Sequence, residues 1–163
     1  MSAQHIIESL EKLVTAHQTM LDFSKEKTEL LKEGAVEKLQ AFLLKERKQI
    51  RILEKAENNR QEITKKWFEE CGVSLEDITI TKLLEVVENE EERGKLAQVA
   101  TTLTNLITQL KQQEELNQLL LKQSAQFVQL SMALMNPQLS NMNYGNPKKG
   151  QQQMNRSLFD SEV

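Results

Sequence analysis

Few side chains in this sequence could carry out catalysis or bind a metal ion. There are two histidines and one cysteine. His5 and His17 lie twelve residues apart, too far to chelate one metal ion from a single helix. Neither histidine ends a Glu-x-x-His pair, the pattern of carboxylate-bridged di-metal bundles. His17 falls on an apolar helical stripe, so we interpret it as a packed structural residue and predict no metal site.

Other patterns that could support a reaction or bind a cofactor are also missing from the sequence. No glycine-rich loop is present to hold a nucleotide phosphate. The acidic run from Glu88 to Glu92 lacks the alternating ligands and central glycine of a calcium loop, and it favours a solvated helix start instead. Cys71 would lie beside a helix C-terminus, where the helix dipole disfavours the reactive thiolate. Trp67 lies on an apolar helix face, which favours core packing over a binding anchor. We therefore predict no enzymatic activity and no cofactor.

The composition indicates an all-α protein. Of 163 residues, 39% are apolar and 4% aromatic, with five glycines and two prolines. Both prolines, Pro137 and Pro147, come after residue 135, so the preceding chain has too few turn-forming residues for a β-sandwich, a barrel or an α/β fold.

Cysteine content, charge and hydropathy limit the cellular compartment and the classes of partner that the protein could have. A single cysteine excludes an internal disulfide framework and is typical of a reducing compartment. The N-terminal residues contain no apolar stretch of signal-peptide length, and no window is suited to crossing a membrane. The net charge is −3, and we expect no basic cluster on the helical body, so a nucleic-acid partner is not expected.

Three series of residues at helical spacing predict three long helices. The first comprises Ile7, Leu10, Val14, His17, Leu21, Ser24, Thr28 and Leu31, before Gly34. The second comprises Val36, Leu39, Leu43, Glu46, Ile50, Leu53, Glu57, Arg60, Thr64, Trp67 and Cys71, before Gly72. The third comprises Leu96, Val99, Leu103, Leu106, Leu110, Gln113, Asn117, Leu120, Ser124, Phe127, Ser131 and Leu134, before Asn136-Pro137. Between the second and third, Ser74 starts a possible capping box and Thr81 is a candidate cap for a short helix.

These elements predict an elongated antiparallel three-helix bundle or coiled coil. Residues 1–135 would form the helical bundle domain, with a short extra helix before the third long helix, and residues 136–163 would be a disordered, flexible C-terminal tail. The second series becomes polar from Glu57 to Thr64, so we expect looser packing in its distal part. At 1.5 Å per residue the third helix would be about 69 Å long, against roughly 46 and 55 Å for the others. Its C-terminal part should therefore be partly unshielded.

The C-terminal part of the third helix is apolar around more than one face. Leu120, Phe127 and Leu134 would serve the seam, whereas the remaining apolar residues point elsewhere: Leu116, Leu119, Leu121, Leu130, Met132 and Met135. One interpretation is a broader core with a dimer seam. The other is an adaptable hydrophobic groove for amphipathic helices of a partner. In the tail, Tyr144, Leu158 and Phe159 are isolated apolar residues that could form short recognition motifs or simply lie on the surface.

The sequence resembles the FlgN family of flagellar type III export chaperones, in its Gram-positive form. The resemblance rests on Lys27-Thr-Glu-Leu-Leu-Lys-Glu-Gly34 and on Leu116-Asn-Gln-Leu-Leu-Leu-Lys-Gln-Ser124, followed by Phe127-Val128. In the tail it rests on Asn143-Tyr-Gly145 and Ser157-Leu-Phe-Asp160. It spans nearly the whole chain.

This resemblance implies a small cytoplasmic helical chaperone. Its clients would be the hook–filament junction proteins FlgK and FlgL, whose C-terminal helical segments it would cover before export. By position, the client contact is expected between Leu116 and Met135, and in particular at Leu116, Asn117, Leu120, Leu121, Phe127, Leu130, Met132, Leu134 and Met135. Contact with the export gate protein FlhA is expected at Tyr144, and Leu158 and Phe159 are further candidates for export-gate or tail recognition. The competing hypothesis is a homodimeric coiled-coil structural or adaptor protein that buries the third helix against its own copy.

Overall fold

The computed structural model describes residues 2–135, which are helical with short connections and contain no strand. The elements are α1 (Gln4–Glu33), α2 (Val36–Glu70), a 3₁₀ turn (Leu75–Asp77), α3 (Ile80–Val86) and α4 (Glu90–Met135). The predicted all-α helical bundle is confirmed, including a short helix before the third long one. The tail predicted over residues 136–163 lies outside the described residues.

The ends of α1 and α2 are formed by glycines in the left-handed conformation. Gly34 has φ 67° and Gly72 has φ 70°, a backbone region that glycine enters without the steric cost of a Cβ atom. The amides of Gly34 and Ala35 donate to the carbonyls of Leu31 and Leu30 at 3.3 and 3.4 Å. Orphan carbonyls at the end of α1 are thereby satisfied, and the predicted helix ends are confirmed.

The cap of α3 differs from the prediction. Thr79, not Thr81, is the N-cap: its hydroxyl accepts a hydrogen bond from the Lys82 amide at 3.0 Å. Thr79 has an extended backbone, as an N-cap residue requires, whereas Thr81 already lies inside the helix. Asn89 caps α4 in the same way, accepting from the Glu92 amide at 3.1 Å.

Helix α1 is central, because it packs along both α2 and α4. It runs antiparallel to α2, since Lys27 meets Glu46 and the carbonyl of Ser2 accepts from the Trp67 indole. It runs parallel to α4. Near the two ends of α1, Ala3 contacts Glu92 and Thr28 contacts Asn117, and the partners in each pair are 89 positions apart in sequence. Because this offset is the same at both ends, α1 and α4 keep one register along their shared length.

The apolar core lies at one end of the bundle, where the start of α1, the end of α2, α3 and the start of α4 meet. Its buried members are Ala3, Ile6, Ile7, Leu10, Leu13, Trp67, Phe68, Leu83, Val87 and Leu96. The prediction of looser packing in distal α2 holds only for Glu57 and Arg60, which are half-buried and pair with each other. Thr64, in the same polar stretch, is buried instead, and beyond it Trp67 and Phe68 lie in the apolar core together with residues of α1, α3 and α4.

Candidate functional site

A buried polar layer joins the three long helices beyond the apolar core. Its charged centre is Lys27, which is 4% exposed. The Lys27 Nζ atom lies 2.9 Å from Oε2 of Glu46 on α2 and 3.1 Å from Oε2 of Glu114 on α4. Ser24 donates its hydroxyl to Oε1 of Glu114 at 2.7 Å. One ammonium therefore bridges carboxylates from two different helices.

The rest of this layer consists of neutral side chains between α1 and α4. Asn117 donates from Nδ2 to the carbonyl and hydroxyl oxygens of Ser24 at 2.8 and 3.0 Å. The hydroxyl of Thr28 donates to Oδ1 of Asn117 and accepts from Nε2 of Gln113. Because these bonds form only when the two helices are aligned at the observed offset, the layer specifies their register.

Electrostatics keep Lys27 charged inside the bundle. Burial alone lowers the pKa of its ammonium, but the charges of Glu114 and Glu46 outweigh this effect, and the pKa is raised above 10.5. The buried cation is thus compensated by its two neighbours rather than neutralised by loss of a proton.

Asn117 requires a correction to the predicted client-contact set. It is 0% exposed, because its position on the seam places its amide in the polar layer between α1 and α4. A partner could not reach it without separating these helices. Asn117 therefore belongs to the internal structure of the bundle, although its sequence neighbours lie on the surface.

The last part of α4 extends beyond the end of α1. With the offset of 89 residues, Glu33 at the end of α1 lies level with Lys122. Residues 123–135 therefore continue for about 20 Å past it. Phe127 and Leu134 were predicted to serve the seam, yet they are 70% and 74% exposed, because no α1 residue is left to cover them.

These and neighbouring residues form what we call the distal apolar surface of α4. Its exposed members are Leu116, Leu119, Phe127, Val128, Leu130, Met132, Leu134 and Met135. Leu120 and Leu121, which were also predicted to contact a client, are half-buried. All the predicted client-contact residues except Asn117 thus lie at least partly at the surface. An apolar area of this kind on a protein requires an explanation, because it marks an interaction site or an aggregation hazard.

A groove of about 360 Å³ continues this surface onto the turn between α1 and α2. Its lining is Leu30, Leu31, Gly34, Ala35, Val36, Leu39, Leu121, Ser124, Ala125 and Val128. Sequence reasoning missed the contribution of the turn. The signal was present in the apolar pair Ala35-Val36 directly after the helix-ending glycine, and Val36 is 64% exposed.

The remaining residues that were considered for catalysis or binding are packed among, or hydrogen-bonded to, other parts of the bundle. Trp67 is 7% exposed and donates its indole N–H to the carbonyl of Ser2 at 3.1 Å, which confirms the prediction of core packing. His17 is half-buried with Nδ1 2.9 Å from the carbonyl of Leu13. Cys71 is half-buried against the core.

Residues 2–135 contain neither a cluster of metal ligands nor a membrane-spanning helix. No group of three or more His, Cys, Asp or Glu side chains there could hold a metal ion. No helix in the same residues is both long and apolar enough to span a bilayer.

One residue of the acidic run has a role that the sequence did not suggest. Glu92 accepts hydrogen bonds from the Ser2 hydroxyl at 2.6 Å and from the Ala3 amide at 3.0 Å. These two hydrogen bonds, the one from Ser2 more strongly than the one from Ala3, lower the pKa of the Glu92 carboxyl below 4.5. Glu92 thereby ties the start of α1 to the start of α4, a contact between residues too distant in sequence for a local pattern to reveal.

The three tail residues predicted for recognition, Tyr144, Leu158 and Phe159, lie outside the described residues.

Comparison with known proteins covers the described residues and part of the tail. A family model described as "FlgN protein" matches residues 1–153. A protein of Bacillus subtilis (strain 168) described as "Uncharacterized protein YvyG" is 32% identical over 165 residues, an alignment that spans 100% of both chains. No solved structure matches this chain.

Proposed function

Since this chain belongs to the FlgN family of flagellar chaperones, we propose that it binds the C-terminal helical segments of the hook–filament junction proteins FlgK and FlgL. The sequence resemblance to this family is confirmed. In the proposed role the protein acts in the cytoplasm, prevents premature assembly of its clients and delivers them to the export gate protein FlhA. The chaperone role needs no bound cofactor and no chemical step.

The observation that carries this proposal is the length of α4 relative to its neighbours. A client helix that assembles outside the cell presents an apolar face, which would aggregate if it stayed uncovered. The distal apolar surface of α4 can cover such a face, because Phe127, Leu130 and Leu134 remain more than half exposed. Completing the burial of each would contribute roughly 1–2 kcal/mol. The client helix would supply the partner that α1 no longer provides.

The groove beside the α1–α2 turn suggests where one edge of the client helix lies. Its lining is almost entirely apolar and includes Leu121 and Val128 of α4 together with Val36 of α2. Bulky apolar side chains at i and i+3 or i+4 positions of an amphipathic helix could enter it. Ordering a disordered client segment costs about 2–5 kcal/mol, which would moderate the affinity and favour release at the gate.

Contact with the export gate is proposed for the tail rather than for the bundle. We assign this contact to Tyr144, because the family resemblance implies a gate contact at a tyrosine in the tail. Leu158 and Phe159 form an apolar pair in the same segment and are the other candidates for recognition there. Separating the client and gate contacts in this way would let a loaded chaperone bind both partners at once.

Co-purification with the C-terminal segment of FlgK tests the client contact. We expect one-to-one binding that survives deletion of residues 136–163 and is abolished by Phe127→Asp. The matched control is Ile107→Asp, because Ile107 is also exposed on α4, at 46%, but lies outside the distal apolar surface. Circular dichroism must show that both variants fold.

The outcomes of this test separate the hypotheses. Loss of binding on deletion would move the client contact to the tail. No binding by any form, together with dimerisation that Phe127→Asp disrupts, would favour the homodimeric coiled coil. Tyr144→Ala should weaken binding to FlhA without affecting binding to FlgK. The double change Leu158→Ala/Phe159→Ala tests the other two tail residues in the same assay.

A variant that loses FlgK binding and FlhA binding equally would contradict the proposed separation of the two contacts.

A further inference from the structure

The outward side of α2 carries a basic and apolar pattern that the proposed function does not use. Two adjacent rows at i, i+4, i+8 spacing make up what we call the α2 outer face: Leu44, Lys48 and Ile52 in one row, and Arg47, Arg51 and Lys55 in the other. All six side chains are exposed, with Leu44 at 62% and Ile52 at 55%. The sequence-based expectation of no basic cluster is wrong here, because these cations converge on one side only when the chain is wound into a helix.

Positive charges outnumber negative ones on this face of α2. None of the four cations forms an ion pair among residues 2–135. Arg47, Arg51 and Lys55 follow one another at i, i+4 spacing, and like charges at that spacing destabilise a helix. Glu46, the carboxylate nearest in sequence to Arg47, is turned inward and pairs with Lys27 at 2.9 Å.

The α2 outer face concentrates charge of one sign. Arg47, Lys48, Arg51 and Lys55 are exposed there together with a single carboxylate, Glu54, whereas ion pairs such as Glu57–Arg60 and Glu91–Lys95 join opposite signs. The face therefore carries an excess of positive charge. Its like-charge repulsion would be relieved by an external group that is negatively charged.

We propose that the α2 outer face is a docking surface for an acidic amphipathic helix of a partner protein. Leu44 and Ile52 lie two helical turns apart, about 12 Å along the axis, and would contact aliphatic side chains at the same spacing on the partner. Carboxylates in the adjacent row of the partner would face Arg47, Arg51 and Lys55. Arginine binds carboxylates through two parallel N–H donors, which would fix the register of the two helices.

A protein helix fits this face better than a nucleic acid or a lipid surface does. Phosphate groups would neutralise the cations but leave Leu44 and Ile52 uncovered, and no aromatic residue lies in the face to stack on a base. A helix that binds a bilayer carries a wider apolar stripe than two separated aliphatic residues.

The test is fluorescence anisotropy with the full chain and a labelled 21-residue helical peptide, in which leucines and glutamates occupy adjacent i, i+4, i+8 rows. A control peptide of equal composition has its glutamates moved to the opposite side. We expect tighter binding of the first peptide by about tenfold or more, decreasing as salt rises. Arg47→Glu/Arg51→Glu should weaken it by at least a similar factor. Lys65→Glu/Lys66→Glu, an equal charge change on exposed residues of the same helix, should leave it within about twofold.

Two further variants keep the test decisive. Leu44→Gln/Ile52→Gln should weaken binding several-fold without changing its salt dependence, because it removes apolar contact and no charge. If the charge reversal unfolds the protein, Arg47→Gln/Arg51→Gln removes the same contacts with a smaller change in charge.

Several results would overturn the proposal. Equal affinity for the two peptides, or equal loss from the Lys65/Lys66 change, would show only non-specific attraction between charges. Absence of peptide binding, with binding to single-stranded RNA or phosphatidylglycerol vesicles that Arg47→Glu/Arg51→Glu abolishes, would assign the face to a nucleic acid or a membrane. Phe127→Asp should not alter peptide binding, so failure here is distinguishable from failure of the client contact.

Discussion

Replacing Lys27 with methionine would test whether the buried polar layer is held by charge. The change keeps a long side chain but removes the ammonium that bridges α2 and α4. The Glu46 side chain, only 4% exposed, would keep a carboxylate with no cation beside it. Glu114 is better able to adapt, since its side chain is 28% exposed and can still be hydrated. The cost of the substitution should therefore arise mainly from Glu46.

The magnitude follows from the geometry of the two ion pairs. At an effective dielectric constant of about 20, each N–O contact near 3 Å corresponds to roughly 5 kcal/mol of attraction. Several kcal/mol per ion is lost when such charges leave water, so the intact layer adds little net stability. Removing one partner is different, because the remaining charge stays buried. We expect Lys27→Met to lower the free energy of unfolding by about 3–5 kcal/mol.

Urea denaturation followed by circular dichroism at pH 7 measures this loss. Lys27→Met/Glu46→Leu should recover most of it, since both members of the most buried pair are then apolar. Lys32→Met is the matched control: Lys32 pairs with Glu29 at 3.5 Å on the surface of α1 and should cost less than about 0.5 kcal/mol. A loss below about 1 kcal/mol for Lys27→Met, or no recovery in the double variant, would refute the reasoning.

The pH dependence of the same variants provides a second check. Because the pKa of Lys27 is raised above 10.5 in the folded protein, its stabilising charge is fully present below pH 10.5. That contribution is lost as the pH rises through the folded-state pKa. The difference between the native protein and Lys27→Met should therefore be constant from pH 7 to about 10 and shrink at higher pH.

Two further predictions concern the caps and contacts that hold the short connections. Thr79→Ala should lower the free energy of unfolding by about 1 kcal/mol through loss of the α3 cap, whereas Thr81→Ala should have a smaller effect; urea titration of both compares them directly. Glu92→Gln should weaken the tie to Ser2 and Ala3 at pH 7. Because the folded-state pKa of Glu92 lies below 4.5, the carboxylate's contribution is present above pH 4.5 and disappears as the pH falls through the folded-state value. The melting temperatures of the native protein and of Glu92→Gln, measured between pH 3 and 7, should therefore converge at the acid end. A difference that persists at pH 3 would contradict this account.

The polar layer also bears on how the proposed chaperone could bind a client. It separates the apolar core at one end of the bundle from the distal apolar surface of α4 at the other. The core, which includes Phe68 and Leu96, lies outside the surface that we propose for the client. Substitutions on the distal surface should therefore change binding more than they change stability, which makes Phe127→Asp informative in the co-purification assay.

Much of the fold is predictable from local features of the sequence. Apolar residues at helical spacing define the three long helices, and Gly34 and Gly72 end the first two because a left-handed residue stops helical hydrogen bonding. The polar positions in the seams, such as Ser24, Thr28 and Asn117, are also visible in the same series. Their partners are not visible, because hydrogen bonds across 89 or more residues depend on which helices become neighbours.

The candidate site was only partly predictable for the same reason. The sequence places apolar residues around the end of α4 and shows that this helix is the longest. The predicted partial exposure of its C-terminal part is confirmed at Phe127 and Leu134. The sequence does not show that Asn117 is buried. Nor does it show that the α1–α2 turn adds Val36 to the groove, because that contact brings together separate parts of the chain.

By itself, then, the sequence determined which segments are helical, where α1 and α2 end, and which face of each helix is apolar. These are local properties, set by residue spacing and by backbone preferences within a few residues. The tertiary structure decided which apolar residues are covered. Covering a residue requires a neighbouring helix at the same level, and the register of α1 against α4 leaves the last 20 Å or so of α4 without one.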